Sequence, residues 1–174
     1  MKQSKWFAVY TRPNREKQVA DSFLKKGIQS YCPENRIHVQ LNGRKKIVTE
    51  PLFTSNVFVY LHEAQYNFVK ETRGVVNFLY WHGQPAIIKD EEINAIKNFL
   101  EEYPHIALER TPVNTKESHQ VITSPLMQRK GNVLEVLNST VKLILPSMGR
   151  VLVSQLRKEN TADIVYRELF RVRV

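Results

Sequence analysis

The sequence predicts an α+β protein in which helices pack on an antiparallel sheet, with a small β-barrel following. Between residues 6 and 100, strand-length apolar runs and helical periodicities come in the order β-α-β-β-β-α-β-α. This order lacks the repeated βα alternation that a parallel sheet needs. Asn42-Gly43, the strongest two-residue hairpin signal, stands between the alternating Ile37, Val39, Leu41 and the returning Ile47-Val48-Thr49. Past residue 132, the β-rich runs Val133 to Val136, Val141 to Leu145 and Val151 to Val153 are separated by Asn138-Ser139 and Pro146-Ser147-Met148-Gly149. Strands so closely spaced suggest a small barrel.

Trp6 to Tyr10 reads as a buried first strand. Pro13 suits the first turn of a helix, with Asn14 or Thr11 as its cap. Val19, Ala20, Phe23 and Leu24 recur at helical spacing, and Gly27 stands where a left-handed C-cap belongs, which gives a helix over about 14 to 26. The hairpin that follows carries Arg44-Lys45-Lys46 at its tip, and Pro51 is expected to block sheet pairing where it stands. In Val57-Phe58-Val59-Tyr60-Leu61, alternation sends Val57, Val59 and Leu61 to one sheet face and Phe58 and Tyr60 to the other. The two aromatics are then either a second core under a helix or an aromatic-lined socket for a partner. Glu63 to Thr72 reads as a short helix and Val75 to Tyr80 as a strand. Asp90 is placed as an N-cap, with Glu91 and Glu92 favourable to the helix dipole and Ile93, Ile96 and Leu100 as the apolar stripe. Residues 104 to 118 have little periodicity and read as a linker joined flexibly after Tyr103. Residues 1 to 103 and 119 to 174 are then the two domains, and Ile164 to Val174 fits a strand, a helix or a tail.

The 174 residues carry a net charge of +9, which points to an acidic partner, most often nucleic acid. The charge is uneven: residues 1 to 50 sum to +7, residues 51 to 110 to −3 and residues 111 to 174 to +5. A single cysteine, Cys32, favours a reducing compartment. No apolar signal core follows the N-terminal residues, and no run approaches the roughly 18 apolar residues of a membrane span, so a cytoplasmic location without membrane contact is expected. The histidines at 38, 62, 82, 105 and 119 have neither a partner cysteine nor an i, i+4 spacing, and the six glycines stand singly. No metal, cofactor or catalytic motif is implied. Adjacent Glu91 and Glu92 point apart on a helix and read as capping acids.

Four blocks then carry a resemblance: Trp6-Phe7-Ala8-Val9-Tyr10-Thr11, Glu50-Pro51-Leu52-Phe53 through Val57-Phe58-Val59, Arg73-Gly74-Val75, and Gln84-Pro85-Ala86-Ile87-Ile88 before an acidic helix start. In this order the chain resembles the N-terminal (NGN) domain of NusG-type transcription elongation factors, and within them specialised paralogues of the RfaH and UpxY kind. The C-terminal part is similar to a KOW domain, with Val121-Ile122, Gly131 to Val136 and Val141 to Leu145 following its pattern and Ser124-Pro125-Leu126 replacing the usual Gly-Pro-Phe.

The resemblance implies a factor without catalysis of its own that rides on RNA polymerase and suppresses pausing or termination, for UpxY-type proteins on a long polysaccharide-synthesis operon. An apolar depression holding Tyr10, Phe53 and Phe58 would grip the clamp helices of the polymerase's largest subunit. Asn56 stands where an aromatic is usual, and Thr54-Ser55 replaces Pro-Gly or Pro-Asn. A second contact, to the gate loop of the other large subunit, would lie within His62 to Thr72, where the family's His-Thr-Thr signature is absent. Non-template DNA of the transcription bubble would meet Arg12, Arg15, Lys17 and Arg73, and the hairpin basics are either a track for upstream DNA or a solvated tip. The competing reading is a ribosomal or other RNA-binding protein, since KOW barrels and a basic charge also occur there. It leaves residues 6 to 100 unexplained.

Overall fold

The computed structural model describes residues 3–41, 43–103, 105–110, 134–137 and 140–155. In chain order, β1 (Lys5–Thr11) leads to α1 (Glu16–Lys25), β2 (Gln29–Tyr31) and the hairpin of β3 (Glu34–Leu41) with β4 (Arg44–Pro51). Next come β5 (Asn56–Leu61), a 3-10 turn (Glu63–Gln65), α2 (Tyr66–Lys70) and β6 (Val75–Phe78). A small hairpin of β7 (Tyr80–Trp81) and β8 (Gln84–Pro85) precedes β9 (Ile87–Ile88) and α3 (Asp90–Glu102). After these stand β10 (Ala107–Arg110), β11 (Leu134–Leu137), β12 (Thr140–Leu145), a second 3-10 turn (Pro146–Met148) and β13 (Arg150–Gln155).

Among the described residues, β1 is the centre of a five-stranded antiparallel sheet. β5 lies on one side of it with β2 beyond, and β6 and β9 pair along its other side. The sheet is a middle layer with a core on each face. Val57, Val59 and Leu61 join Phe7, Val9 and Phe78 under α1 and α2, where Val19, Ala20, Phe23 and Val69 close the layer. Trp6, Ala8 and Phe58 face the other way, onto Ile93, Ile96 and Phe99 of α3. Each buried Val or Phe is worth about 1.5–3 kcal/mol, and a one-residue slip would exchange the two faces. Register is therefore set by the alternation itself, with Ala8 opposite Phe58 and Val9 opposite Val57.

β10, β13, β12 and β11 form a second antiparallel sheet in that order. Its Leu143, Leu145 and Leu152 belong to the same buried cluster as α3 and Phe58. The stretch expected as a linker is thus partly a strand: Leu108 pairs with Leu152, and the alternation of β10 is short enough to be hidden between prolines 104 and 112. Nor is the chain loose after Tyr103. Tyr103 and Ile106 are buried, and the Asn35 side chain donates to the Ile106 carbonyl at 2.7 Å and accepts from its N–H at 3.4 Å. Among the KOW-like motif residues, Val121-Ile122, Ser124 to Leu126 and Gly131 to Val133 lie outside the described residues, as does Ile164 to Val174.

Smaller differences have local causes. Pro51 does pair, opposite Glu34, because it ends a two-stranded ribbon where a missing N–H is tolerated. Neither Asn14 nor Thr11 caps α1: Arg15 precedes the helix without a side-chain cap and Asn14 takes a left-handed φ of 60°. Asp90 lies inside α3, one residue after its boundary at Lys89. Gly27 has φ 73° as a left-handed helix exit requires.

Candidate functional site

Tyr10, Phe53 and Phe58 all belong to the face of the sheet that carries α3, at different depths. Phe58 is 0% exposed in the middle of β5, Phe53 is 2% exposed on the loop before it, and their rings meet edge to face at 5.3 Å between centroids. Tyr31 stacks on the other side of Phe58. Tyr10 follows Trp6 and Ala8 along the same face of β1 and is 40% exposed, so it stands at the open margin of a closed aromatic core. Leu143, Leu145 and Leu152 of the second sheet complete this core.

The loop carrying Phe53 is held from beneath by a residue that sequence reading did not single out. Glu16 is buried at the start of α1, and its carboxylate accepts from the Ser55 N–H at 2.6 Å. Ser55 has φ 58°, a conformation costly for a residue with a Cβ, and the charge-assisted bond helps offset that cost. The Asn56 amide donates to the Thr54 carbonyl at 2.8 Å. Where the family resemblance places an aromatic, this chain therefore uses the side chain to close its own turn. A buried acid at the first helical position, facing a Thr-Ser turn, leaves no periodic signature in the sequence.

A second polar contact ties α3 to the turn between β12 and β13. Glu92, buried in α3, accepts from the Ser147 N–H at 3.2 Å and its hydroxyl at 2.6 Å, while its other carboxylate oxygen is buried with no hydrogen-bond partner among the described residues. The sequence alone places it as a capping acid. Its neighbours Asp90 and Glu91 are exposed on the same turn, and only burial by the second sheet distinguishes it from them.

Of the four basic residues expected to meet nucleic acid, three come together. The Arg12 N–H donates to the Gly74 carbonyl at 2.8 Å, which sets the Arg73-Gly74 loop beside the start of α1, where Arg15 is also exposed. Gly74 has φ 98°, and a Cβ there would lie 2.8 Å from Cγ2 of Val19 and 3.7 Å from Cβ of Arg15. Gly74→Ala is expected to destabilise the fold by about 1–3 kcal/mol through backbone strain, with overpacking adding to it. Chemical denaturation of the variant checks this. Lys17 is committed elsewhere: its ammonium pairs with Glu34 at 2.8 Å and donates to the Thr49 carbonyl at 3.2 Å, at the base of the β3–β4 hairpin. The segment expected as a gate-loop contact is the 3-10 turn and α2. His62 opens it by accepting the Ala64 N–H on Nδ1, and the Gln65 side chain accepts the His62 N–H.

Cys32 lines a groove of about 880 Å³ with Tyr31, Arg36, Lys97 and His105. Burial, reinforced by the Glu34 and Glu16 carboxylates, pushes its thiol up to about 11. A thiol raised from 9.0 to about 11 holds about a hundredfold less thiolate at pH 8. Its alkylation by iodoacetamide is expected to be correspondingly slow and to accelerate only as pH approaches 11. Rapid reaction at pH 8 would contradict this. Among the described residues no group of His, Cys, Asp and Glu is arranged to hold a metal ion, and no helix is long and apolar enough to cross a membrane.

The family model described as "Transcription termination factor nusG" matches residues 4–97. The chain is similar to the transcription termination/antitermination protein NusG of Streptococcus pyogenes serotypes M1 and M3, 26% identical in each case, covering 91% of this chain and 96% of the relative. A solved structure described as "Domain interaction in Thermotoga maritima NusG" is 26% identical, covers 89% of this chain and 94% of that one, and has a TM-score of 0.44.

Proposed function

The chain belongs to the NusG family of transcription termination and antitermination factors, and from that membership we propose that it is a specialised elongation factor that binds RNA polymerase and suppresses pausing or termination. It acts in the cytoplasm, without catalysis of its own, by holding polymerase rather than by changing a covalent bond. The aromatic face of Tyr10, Phe53 and Phe58 docks on the clamp helices of the largest subunit. The observation that carries this reading is an aromatic cluster with Tyr10 exposed at its rim and Phe53 and Phe58 buried beneath. Interface hot spots are typically such clustered aromatics.

In the structure this core also holds Leu143, Leu145 and Leu152. Docking on this face then competes with the second sheet, whose β12 packs on α3. Arg12, Arg15 and Arg73 meet the non-template strand of the transcription bubble, while Lys17, already paired with Glu34, contributes less. The His62 to Thr72 segment touches the gate loop, and the regulated transcripts are those of a long polysaccharide-synthesis operon.

The testing experiment is transcription by purified polymerase through a terminator, with and without the chain, alongside a polymerase pull-down and a ribosome sedimentation assay. Increased read-through with retention on polymerase is expected. Co-sedimentation with ribosomes and no retention on polymerase would favour the RNA-binding reading. Which transcripts lose distal reads when the gene is deleted tests the operon assignment.

A further inference from the structure

We propose that Glu16 is a positioning residue for polymerase binding: its buried carboxylate holds the Phe53–Asn56 turn in the conformation that presents the aromatic face, compensating for the glycine this turn lacks. The proposal rests on the reading of Tyr10, Phe53 and Phe58 as the polymerase contact and adds the residue that keeps that contact in shape.

The Asn56 N–H donates to the Phe53 carbonyl at 3.2 Å, which closes Phe53-Thr54-Ser55-Asn56 as a β-turn. Ser55, its third residue, has φ 58°, while Thr54 before it keeps a negative φ. This is the pattern of a type II turn, which favours Pro at its second position and Gly or Asn at its third. Thr54 and Ser55 are neither. A serine Cβ makes the left-handed conformation costly, so the turn by itself would relax to an ordinary φ and carry Phe53 with it.

Both polar backbone groups of Ser55 are instead tied to the segment that links β1 to α1. Its carbonyl accepts from the Thr11 N–H at 2.9 Å, and its N–H donates to the Glu16 carboxylate at 2.6 Å. The second bond is charge-assisted and shielded from water, since Glu16 is 4% exposed. An acid serving only the dipole of α1 would do so from the surface, as Asp90 and Glu91 do at the start of α3.

The consequence for binding is a population effect. Phe53 stands at the first position of the turn and packs edge to face on Phe58. A partner that needs this arrangement binds more weakly in proportion to the fraction of molecules that have lost it. Glu16, being buried, acts through Ser55 rather than by touching the partner.

The test is the equilibrium affinity of the full chain for core RNA polymerase, at a temperature where circular dichroism shows each variant folded, with amide hydrogen exchange at Ser55 followed on the same samples. Glu16→Ala is expected to bind about tenfold more weakly and to exchange the Ser55 amide faster. Glu16→Gln keeps the volume and a neutral acceptor, so it serves where alanine compromises folding, with an expected loss of about threefold. The discriminating variant is Glu16→Ala with Ser55→Gly. Glycine takes a positive φ at little cost, so affinity is expected to return to within about twofold of wild type. Wild-type affinity in the folded Glu16 variants, or a loss that Ser55→Gly does not restore, overturns the proposal. Tyr10→Ala and Phe53→Leu are measured alongside. Full affinity in both of them would overturn the aromatic-face reading and this role of Glu16 with it, whereas a loss in them beside full affinity in the Glu16 variants overturns Glu16 alone.

Discussion

Phe53→Ala is expected to lower stability by about 3–5 kcal/mol, because the side chain is 2% exposed and packed on Phe58. At a temperature where circular dichroism shows the variant folded, its affinity for core RNA polymerase is expected to fall by more than tenfold, the loss typical of a truncated interface aromatic worth about 2 kcal/mol. The two effects separate with Phe53→Leu, which refills most of the volume and removes the aromatic ring. Full affinity in both variants would assign Phe53 to the core and take it out of the contact.

Leu145→Asp is expected to act in the opposite direction on binding. Leu145 is fully buried in the cluster that joins the second sheet to α3 and the aromatic face. Burying a carboxylate there costs several kcal/mol. The association is already imperfect, since one oxygen of Glu92 in the same seam is buried without a partner among the described residues. The second sheet should separate from α3, and polymerase affinity should rise by about tenfold or more as the covered state loses population. Equal or weaker binding by a variant whose N-terminal residues remain folded would show that the second sheet does not compete for this face.

The residues differ in how far they could be read beforehand. Period-two alternation in Val57 to Leu61 assigned both faces of β5 correctly, since each residue has only two directions and both faces are buried. The β3–β4 hairpin with Gly43 at its turn and the Gly27 helix exit followed from backbone chemistry. Tertiary contacts were another matter. Glu16 and Ser55 lie 39 positions apart, Asn35 and Ile106 71, and Glu92 and Ser147 55. No local pattern records such pairings. β10 was missed because four residues between two prolines show too little alternation to distinguish a strand from a connector. For the site itself, residue type and motif drew attention to Tyr10, Phe53 and Phe58, but not to their depth.

Tyr10 separates contact from core most cleanly, because it combines membership of the aromatic face with 40% exposure. The decisive measurement is the equilibrium affinity of full-length Tyr10→Ala for core RNA polymerase, with the melting temperature taken on the same sample. A polymerase-binding aromatic face predicts affinity at least about tenfold weaker with an unchanged melting temperature. Wild-type affinity at an unchanged melting temperature would contradict it.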